Sequence, residues 1–502
     1  MRLGTHFHNP SISESPESKL RIPGFPKPLN PIHIALMPSP IDRRAFLKRS
    51  GASGLFLAPS LSGLTAFATR SMAAAGNTPA GPPGYGELVE SAECPGVMLP
   101  RGFHCKKVSE SGWPMDDGRP TPNAFDGMAA FPVSGNTIRL VRNHELRQRP
   151  PEGMVLSDEW AYDGLASGGC TTVELTVQPD GSVDKVGEWA SLAGTLVNCA
   201  GGPTPWGSWL SCEETVAAKA DSDGNPTGWQ QNHGYVFEVP AGSDRVVDPV
   251  PLRDMGRFVH EAVALDPQTG ILYLTEDQNP SGFFRFIPNQ PGNLVAGGRL
   301  QMLGIIGRRN FDSRTRQTPG ERLPVTWIDI NDPDPKDDFI RPDAVFRQGF
   351  ARGGASFARL EGCCTGDGFI YFDATTGGNA GAGQIWQYLP QNRGGGELVL
   401  VFESPSLDVL KQPDNLCMSP RGGLAICEDA GGDNHLRGID GDGNLFDFMR
   451  NDMNRLEWAG ACFSPQGRTL FVNLQGALWQ SGGDDPKGMT FAVWGPWEEG
   501  GF

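Results

Sequence analysis

The sequence predicts an all-β chain folded as a six-bladed β-propeller. Three observations predict it. Glycine (67) and proline (43) are abundant in the 502 residues, alongside 12 tryptophans and 27 phenylalanines, a composition suited to many short strands joined by tight turns. No segment sustains a helical apolar period, so long amphipathic helices are not expected. A strand–turn–strand pattern recurs six times. Each copy is an apolar strand headed by an acidic or polar residue, a Pro or Gly turn, then a second apolar strand ending in polar or acidic residues.

Taken in order, residues 1–36 hold several prolines and no periodicity, and read as a disordered leader or a start-site extension ahead of Met37. Residues 37–75 read as a Tat export signal. The run Asp42-Arg43-Arg44-Ala45-Phe46-Leu47-Lys48 precedes a short apolar stretch from about Gly51 to Ala68, with small residues at Ala73-Ala74-Ala75 as a cleavage site. That stretch is rich in Gly, Ser and Ala and is a poor membrane span. The expectation is therefore a periplasmic or secreted protein that meets the Tat translocase during export and keeps no stable membrane anchor. Residues 76–502 are expected to form a single propeller domain.

The six copies run through that domain. They are Asp126 to Pro132 with Ile138 to Glu145, Asn198 to Pro205 with Trp206 to Glu214, and His260 to Pro267 with Gly270 to Asp277. The others are Glu361 to Cys364 with Phe369 to Asp373, Pro413 to Pro420 with Gly423 to Asp429, and Glu457 to Pro465 with Thr469 to Asn473. Third strands are expected at Gly234 to Pro240, Gly282 to Pro288 and Gln384 to Pro390.

In a propeller the first strand of each blade lines the central channel, so the heads of these strands converge on one mouth. Those heads are Asp126, Glu261, Glu361, Asp414 and Glu457, and the second-strand ends add Glu145, Cys212-Glu213-Glu214, Glu276-Asp277 and Glu428-Asp429. So many carboxylates around one channel repel one another unless cations sit between them. Hard oxygens suit calcium or magnesium, and the thiol of Cys212 beside two carboxylates suits a transition metal such as iron or zinc. Arg359 lies two residues before Glu361, hence on the same face of a strand. Its guanidinium can either hold phosphate oxygens or simply pair with Glu361.

Charge and cysteine usage narrow the classes further. The formal net charge is −16 with a pI near 5, which disfavours nucleic acid and anionic membrane as partners. The ten cysteines show no CxxC or zinc-ribbon spacing. Most lie in apolar runs as small core residues, and some are free to pair after export. No G-x-S-x-G nucleophile motif occurs.

Several segments resemble the PhoX-type alkaline phosphatases. The most specific is Asn198-Cys199-Ala200-Gly201-Gly202-Pro203-Thr204-Pro205-Trp206-Gly207-Ser208-Trp209-Leu210-Ser211-Cys212-Glu213-Glu214. With it go Asn143-His144-Glu145, Gly256 to Glu261, Arg359-Leu360-Glu361, Pro413 to Leu416 and Leu470 to Gln475. The resemblance spans roughly Gly86 to Trp497. It implies a monomeric, Tat-exported hydrolase of small phosphorylated metabolites, with a pair of Fe3+ ions bridged by a thiolate and an oxo group and two to three Ca2+ ions alongside. Carried onto this chain, it implies Cys212 as the bridge, Glu261 and Glu361 as iron ligands, and Arg359 as the phosphate-holding residue. Glu213, Glu276, Asp414, Asp429 and Glu457 are the implied calcium ligands. Two other readings remain: a calcium-dependent propeller lactonase or esterase, and a non-enzymatic periplasmic binding propeller. The first gives Cys212 no task, and the second explains the fold but not the crowded acidic mouth.

Overall fold

The first three described strands belong to sheets completed only near the C-terminus. The computed structural model describes residues 84–149, 155–157, 159–221, 223–335, 342–366, 368–391, 394–441, 443–479 and 485–502. The leader, the Tat-type run and the 75/76 boundary lie outside them. Among the described residues the protein is almost entirely β, in antiparallel sheets.

A hairpin of β1 (Leu88–Glu90) and β2 (Val97–Pro100) comes first, then β3 (His104–Glu110). The first repeat unit is β4 (Phe125–Ser134), β5 (Thr137–His144), β6 (Gly168–Val177) and β7 (Val183–Thr195); the second is β8 (Asn198–Pro203), β9 (Ser208–Glu213) and β10 (Val236–Pro240). The third is β11 (His260–Leu265), β12 (Leu272–Glu276), β13 (Phe284–Pro288) and β14 (Gly298–Ile305). Next come β15 (Arg322–Asp329) and the short helix α1 (Ala344–Ala351). The fourth unit is β16 (Leu360–Thr365), β17 (Ile370–Ala374), β18 (Gln384–Pro390) and β19 (Gly396–Glu403). The fifth is β20 (Pro413–Met418), β21 (Leu424–Glu428), β22 (His435–Ile439) and β23 (Leu445–Asn451). The last is β24 (Trp458–Phe463), β25 (Thr469–Leu474) and β26 (Met489–Trp494), to which β3 adds as outermost strand.

The first strands adjoin in a circuit, β4 to β8 to β11 to β16 to β20 to β24 and back to β4. The arrangement is propeller-like, as the strand–turn–strand repeat predicts. The third strands expected at Val236–Pro240, Phe284–Pro288 and Gln384–Pro390 are β10, β13 and β18. Three features were not legible in the repeat. Strand β3, from the N-terminal side, completes the last unit. The β1–β2 hairpin extends the fifth unit through β23. Strand β15 joins the outer edges of the third and fourth units, covering two edges that would otherwise lie open.

The core sits in the seams between units. Val141, Leu192, Trp209 and Phe237 fill the seam between units one and two, and Leu210, Val263, Phe284 and Met302 the next. Tyr273, Phe283, Phe372 and Trp386 fill the third seam, and Ile385, Val401, Leu416 and Ile426 the fourth. Cys427, Phe448, Trp458 and Phe491 fill the fifth, and Leu140, Val173, Phe471 and Ala492 the last. Because each sheet is covered on both faces, its strands read as near-continuous apolar runs rather than alternating ones. Each fully buried Leu or Phe contributes about 1.5–3 kcal/mol relative to exposure. Where the first strands close on the axis, side chains do not fit: a Cβ on Gly362 would press on the Asp414 carbonyl, and one on Gly460 on the Asp126 carbonyl.

Candidate functional site

The mouth is built by one backbone device repeated around the circuit. The first ladder pair of each unit is Phe125↔His144, Asn198↔Glu213, His260↔Glu276, Leu360↔Ala374, Pro413↔Glu428 and Trp458↔Leu474. The ladder then breaks with an irregular step, which comes one pair later in the last unit. A bulge re-aims the side chain that follows the first pair. The residues at this position are Asp126, Cys199, Glu261, Glu361, Asp414 and Ala459.

A second ring lies just past the second strands, at Glu145, Glu214, Asp277, Thr375, Asp429 and Gln475. Each of their N–H groups donates to the carbonyl two residues before the bulge position: Glu145 to Ala124 (2.8 Å), Glu214 to Val197 (2.8 Å), Asp277 to Val259 (3.1 Å), Thr375 to Arg359 (2.8 Å), Asp429 to Gln412 (3.0 Å) and Gln475 to Glu457 (3.3 Å). Four of these acceptors are left-handed: Ala124, Val197, Arg359 and Gln412, with φ between 48° and 54°. Non-glycine residues adopt that region at a cost, so the turn is held by its surroundings. Side chains from the preceding unit supply part of the hold. Asn143 donates to the Cys199 carbonyl (2.8 Å), Thr275 to that of Glu361 (2.6 Å) and Asn473 to that of Asp126 (2.5 Å).

The bulge side chains converge. Ligand atoms of Asp126, Glu145 and Cys199 lie within 4.8 Å of one another, as do those of Cys199, Glu214 and Glu261, and those of Glu261, Glu361 and Asp414. Cys199 belongs to the first two groups and Glu261 to the last two, so the donors form one continuous chain. The Cys199 thiol donates to Glu261 Oε1 (3.2 Å) and lies 3.7 Å from Asp126 Oδ2. Glu457 faces Asp429, Asp414 and Asp126.

Burial, then mutual repulsion, pushes the carboxyls of Glu214, Glu261, Glu361, Asp414 and Glu457 well above the usual range. Asp126 rises for the same reasons despite a hydrogen bond from Gln475, and burial drives the Cys199 thiol up, with Asp126 and Glu261 adding to it. Asp126 Oδ1 and Glu261 Oε2 are buried with no hydrogen-bond partner. Orphaned carboxylate oxygens at this density fit bound cations, which would satisfy the lone pairs and reverse the field.

Two arginines border the cluster. Arg359 reaches Asp277 with Nε to Oδ1 (2.9 Å) and Nη2 to Oδ2 (3.1 Å), and also donates to Glu361. Arg147 donates to Glu145 (2.6 Å) and Glu214 (3.3 Å). Burial opposes the charge of each, but the facing carboxylates outweigh it and raise both pKa values.

The expected residues divide at this point. The structure brings Glu261, Glu361, Asp414, Asp429, Glu457 and Arg359 to the mouth. It places Cys212, Glu213 and Glu276 elsewhere. Cys212 is fully buried in the apolar seam with Val236, Phe258 and Met302. Glu213 accepts from His233 (2.6 Å) and from the N–H groups of Leu196 (2.9 Å) and Gly234 (2.8 Å), holding its own unit's loops. Glu276 accepts from Gly282 N–H (2.8 Å) in the same manner. Adjacent residues on a strand face opposite ways, so the neighbours Glu214 and Asp277 are the ones that face the mouth. Sequence reasoning put Asp126, Glu145, Glu214 and Asp277 at the mouth but left them out of the ligand set. It missed Cys199 and Arg147. The signal for Cys199 was its place one residue into a first strand, matching Asp126, Glu261, Glu361 and Asp414.

Residues 83–477 match the model of the family described as alkaline phosphatase PhoX. The chain belongs to this family. Among solved structures, Pseudomonas fluorescens PhoX in complex with vanadate, described as a transition state analogue, is similar at a TM-score of 0.62 and 18% identity, over 83% of this chain and 98% of that one. A gluconolactonase from Xanthomonas campestris aligns at a TM-score of only 0.37 and 13% identity, over 83% of this chain and 99% of that one. No curated protein sequence matches. PhoX membership agrees with the all-β, propeller-like architecture and with an acidic mouth able to hold metals. Among the described residues no helix is long and apolar enough to cross a membrane.

Proposed function

We propose that this PhoX family protein hydrolyses phosphomonoesters at a mixed metal cluster in the channel mouth, releasing inorganic phosphate. The observation that carries the reading is the continuous donor chain through Cys199 and Glu261. In this reading Cys199, rather than Cys212, is the thiolate ligand. Asp126 and Glu145 on one side, and Glu214 and Glu261 on the other, would each hold a transition metal together with it, iron being the choice that suits a thiolate among carboxylates. Glu361, Asp414, Asp429 and Glu457 offer only hard oxygens and suit calcium. When bound, these cations would neutralise the phosphoryl oxygens and supply a hydroxide at neutral pH.

The protein's own groups do the rest. Arg359 presents the Nη1 side of its guanidinium to the phosphoryl oxygens, a contact that strengthens as charge develops on them. Asp277 fixes the guanidinium in place by accepting from its Nε and Nη2. Gln475 Nε2 donates to Asp126 Oδ2 (3.2 Å) and Glu145 Oε2 (2.8 Å), orienting two ligands from behind. The substrates are small phosphorylated metabolites reaching a monomer in the periplasm or outside the cell. The run Arg43-Arg44-Ala45-Phe46-Leu47-Lys48 supports export in the folded, metal-loaded state. The lactonase alternative gives Cys199 no task.

Elemental analysis of protein purified through its export route, paired with a p-nitrophenyl phosphate assay, tests the proposal. Iron with calcium and phosphate release is the expected result. Calcium alone with lactone hydrolysis would overturn it.

A further inference from the structure

Two cysteines come together where the N-terminal strands are built into the last two units. Cys94 lies in the turn between β1 and β2, its N–H held by Ser91 Oγ (3.2 Å) and its carbonyl accepting from Val97 N–H (3.0 Å). Cys105 is the second residue of β3, opposite Val493 of β26. Both are buried in the seam between the fifth and sixth units. Glu93 locks the two segments side by side: Oε2 accepts the N–H of Cys105 (2.8 Å) and Oε1 lies 2.8 Å from His104 Nδ1. The two thiols face each other across this seam, and neither is in a disulfide. Other thiols are committed differently; the buried Cys170 donates to Asn143 (3.1 Å) and the half-buried Cys417 to the Met418 carbonyl (3.5 Å).

We propose that Cys94 and Cys105 are an oxidisable pair whose disulfide fastens the β1–β2 hairpin of the fifth unit to β3, the closing strand of the sixth. The inference is independent of the phosphatase reading. Its structural consequence follows from the fold. The sixth unit is completed by the hydrogen bonds of β3 to β26, and β3 enters directly after the hairpin seated on β23. A cross-link at this point ties the closing strand to a neighbouring unit and restricts its fraying.

Cys94 is the attacking sulfur. The facing Cys105 thiol lowers its pKa, whereas burial raises that of Cys105. The oxidant is a small-molecule disulfide or a dithiol–disulfide oxidase. The Cys94 thiolate attacks one sulfur of that disulfide and displaces the other as a thiolate. Cys105, losing its proton, then attacks Cys94 Sγ and displaces the second. Two electrons pass from the cysteine pair to the oxidant, which leaves as two thiols carrying the two protons.

The test uses the intact, metal-loaded protein incubated with oxidised glutathione, then denatured, alkylated and mapped by mass spectrometry without reduction. The expected result is alkylation of all but two of the ten cysteines, with one cross-linked peptide joining Cys94 to Cys105. Tris(2-carboxyethyl)phosphine should then lower the thermal midpoint of the oxidised protein by a few degrees, and leave that of C94S/C105S unchanged. Alkylation of all ten cysteines after oxidation, a cross-link through any other cysteine, or a midpoint that ignores reductant in the wild type would each overturn the proposal.

Discussion

Arg359 and Asp277 come from neighbouring units and meet as a two-pronged ion pair, with Nε to Oδ1 at 2.9 Å and Nη2 to Oδ2 at 3.1 Å. The backbone reinforces the contact, since Arg359 N–H donates to the Gln278 carbonyl at 2.9 Å. A guanidinium held in this way would keep its orientation if Glu361 turned to a cation. The pairing expected between Arg359 and Glu361 is present too, but it is one contact of three.

Arg359→Ala should therefore slow p-nitrophenyl phosphate turnover by roughly tens to a thousandfold, on the order of 2–4 kcal/mol, with metal content near normal. Asp277→Asn should give a smaller loss, since the amide holds one prong of the fork and forfeits the charge. Steady-state kinetics with metal analysis reads both. Loss of iron in Arg359→Ala would show instead that the arginine serves only to hold Glu361.

The two cysteines should separate cleanly. Cys199→Ser should remove activity and any thiolate-to-iron absorption, because a hydroxyl is a poor soft ligand. Cys212→Ser should keep both and lose stability by about 1–3 kcal/mol, the cost of a hydroxyl in an apolar seam. Visible spectra and denaturant titrations of the pair distinguish the assignments; the reverse pattern would restore Cys212 as the ligand.

Metal removal should expose the repulsion among Glu261, Glu361 and Asp414. Their folded pKa values are raised above the unfolded ones, so the metal-free folded chain binds more protons than the unfolded chain across the gap. Their contribution is fully present below about pH 4 and is lost as pH rises through the folded values. The thermal midpoint of chelator-treated protein should fall with rising pH over this window, while metal-loaded protein stays nearly flat. A metal-free midpoint that climbs with pH would show that these carboxyls are not held in repulsion.

Export should depend on the arginine pair. Replacing Arg43 and Arg44 with Lys should leave precursor in the cytoplasm, as fractionation and immunoblotting would show. Mature protein appearing normally in the periplasm would refute the Tat assignment.

The sequence by itself determined the propeller-like architecture and where the acidic residues gather. Short apolar strands around Pro and Gly turns admit few folds other than a closed array of small sheets, and acids at strand heads mark the axis. Residues such as Glu261, Glu361 and Asp414 were legible because each opens a first strand just after a turn. The tertiary structure decided which member of each adjacent acidic pair faces the mouth. Glu213 and Glu214, or Glu276 and Asp277, are chemically alike, and only the ladder pairing to β8 and β11 sets which one turns inward. The same one-residue alternation sends Cys212 into a seam, while the bulge at Cys199 turns that thiol toward Asp126 and Glu261. Strand closure by β3 was likewise invisible, because it pairs Cys105 with Val493 across nearly the whole chain. Local pattern carries periodicity; it does not carry the register of partners brought together only when the ring closes.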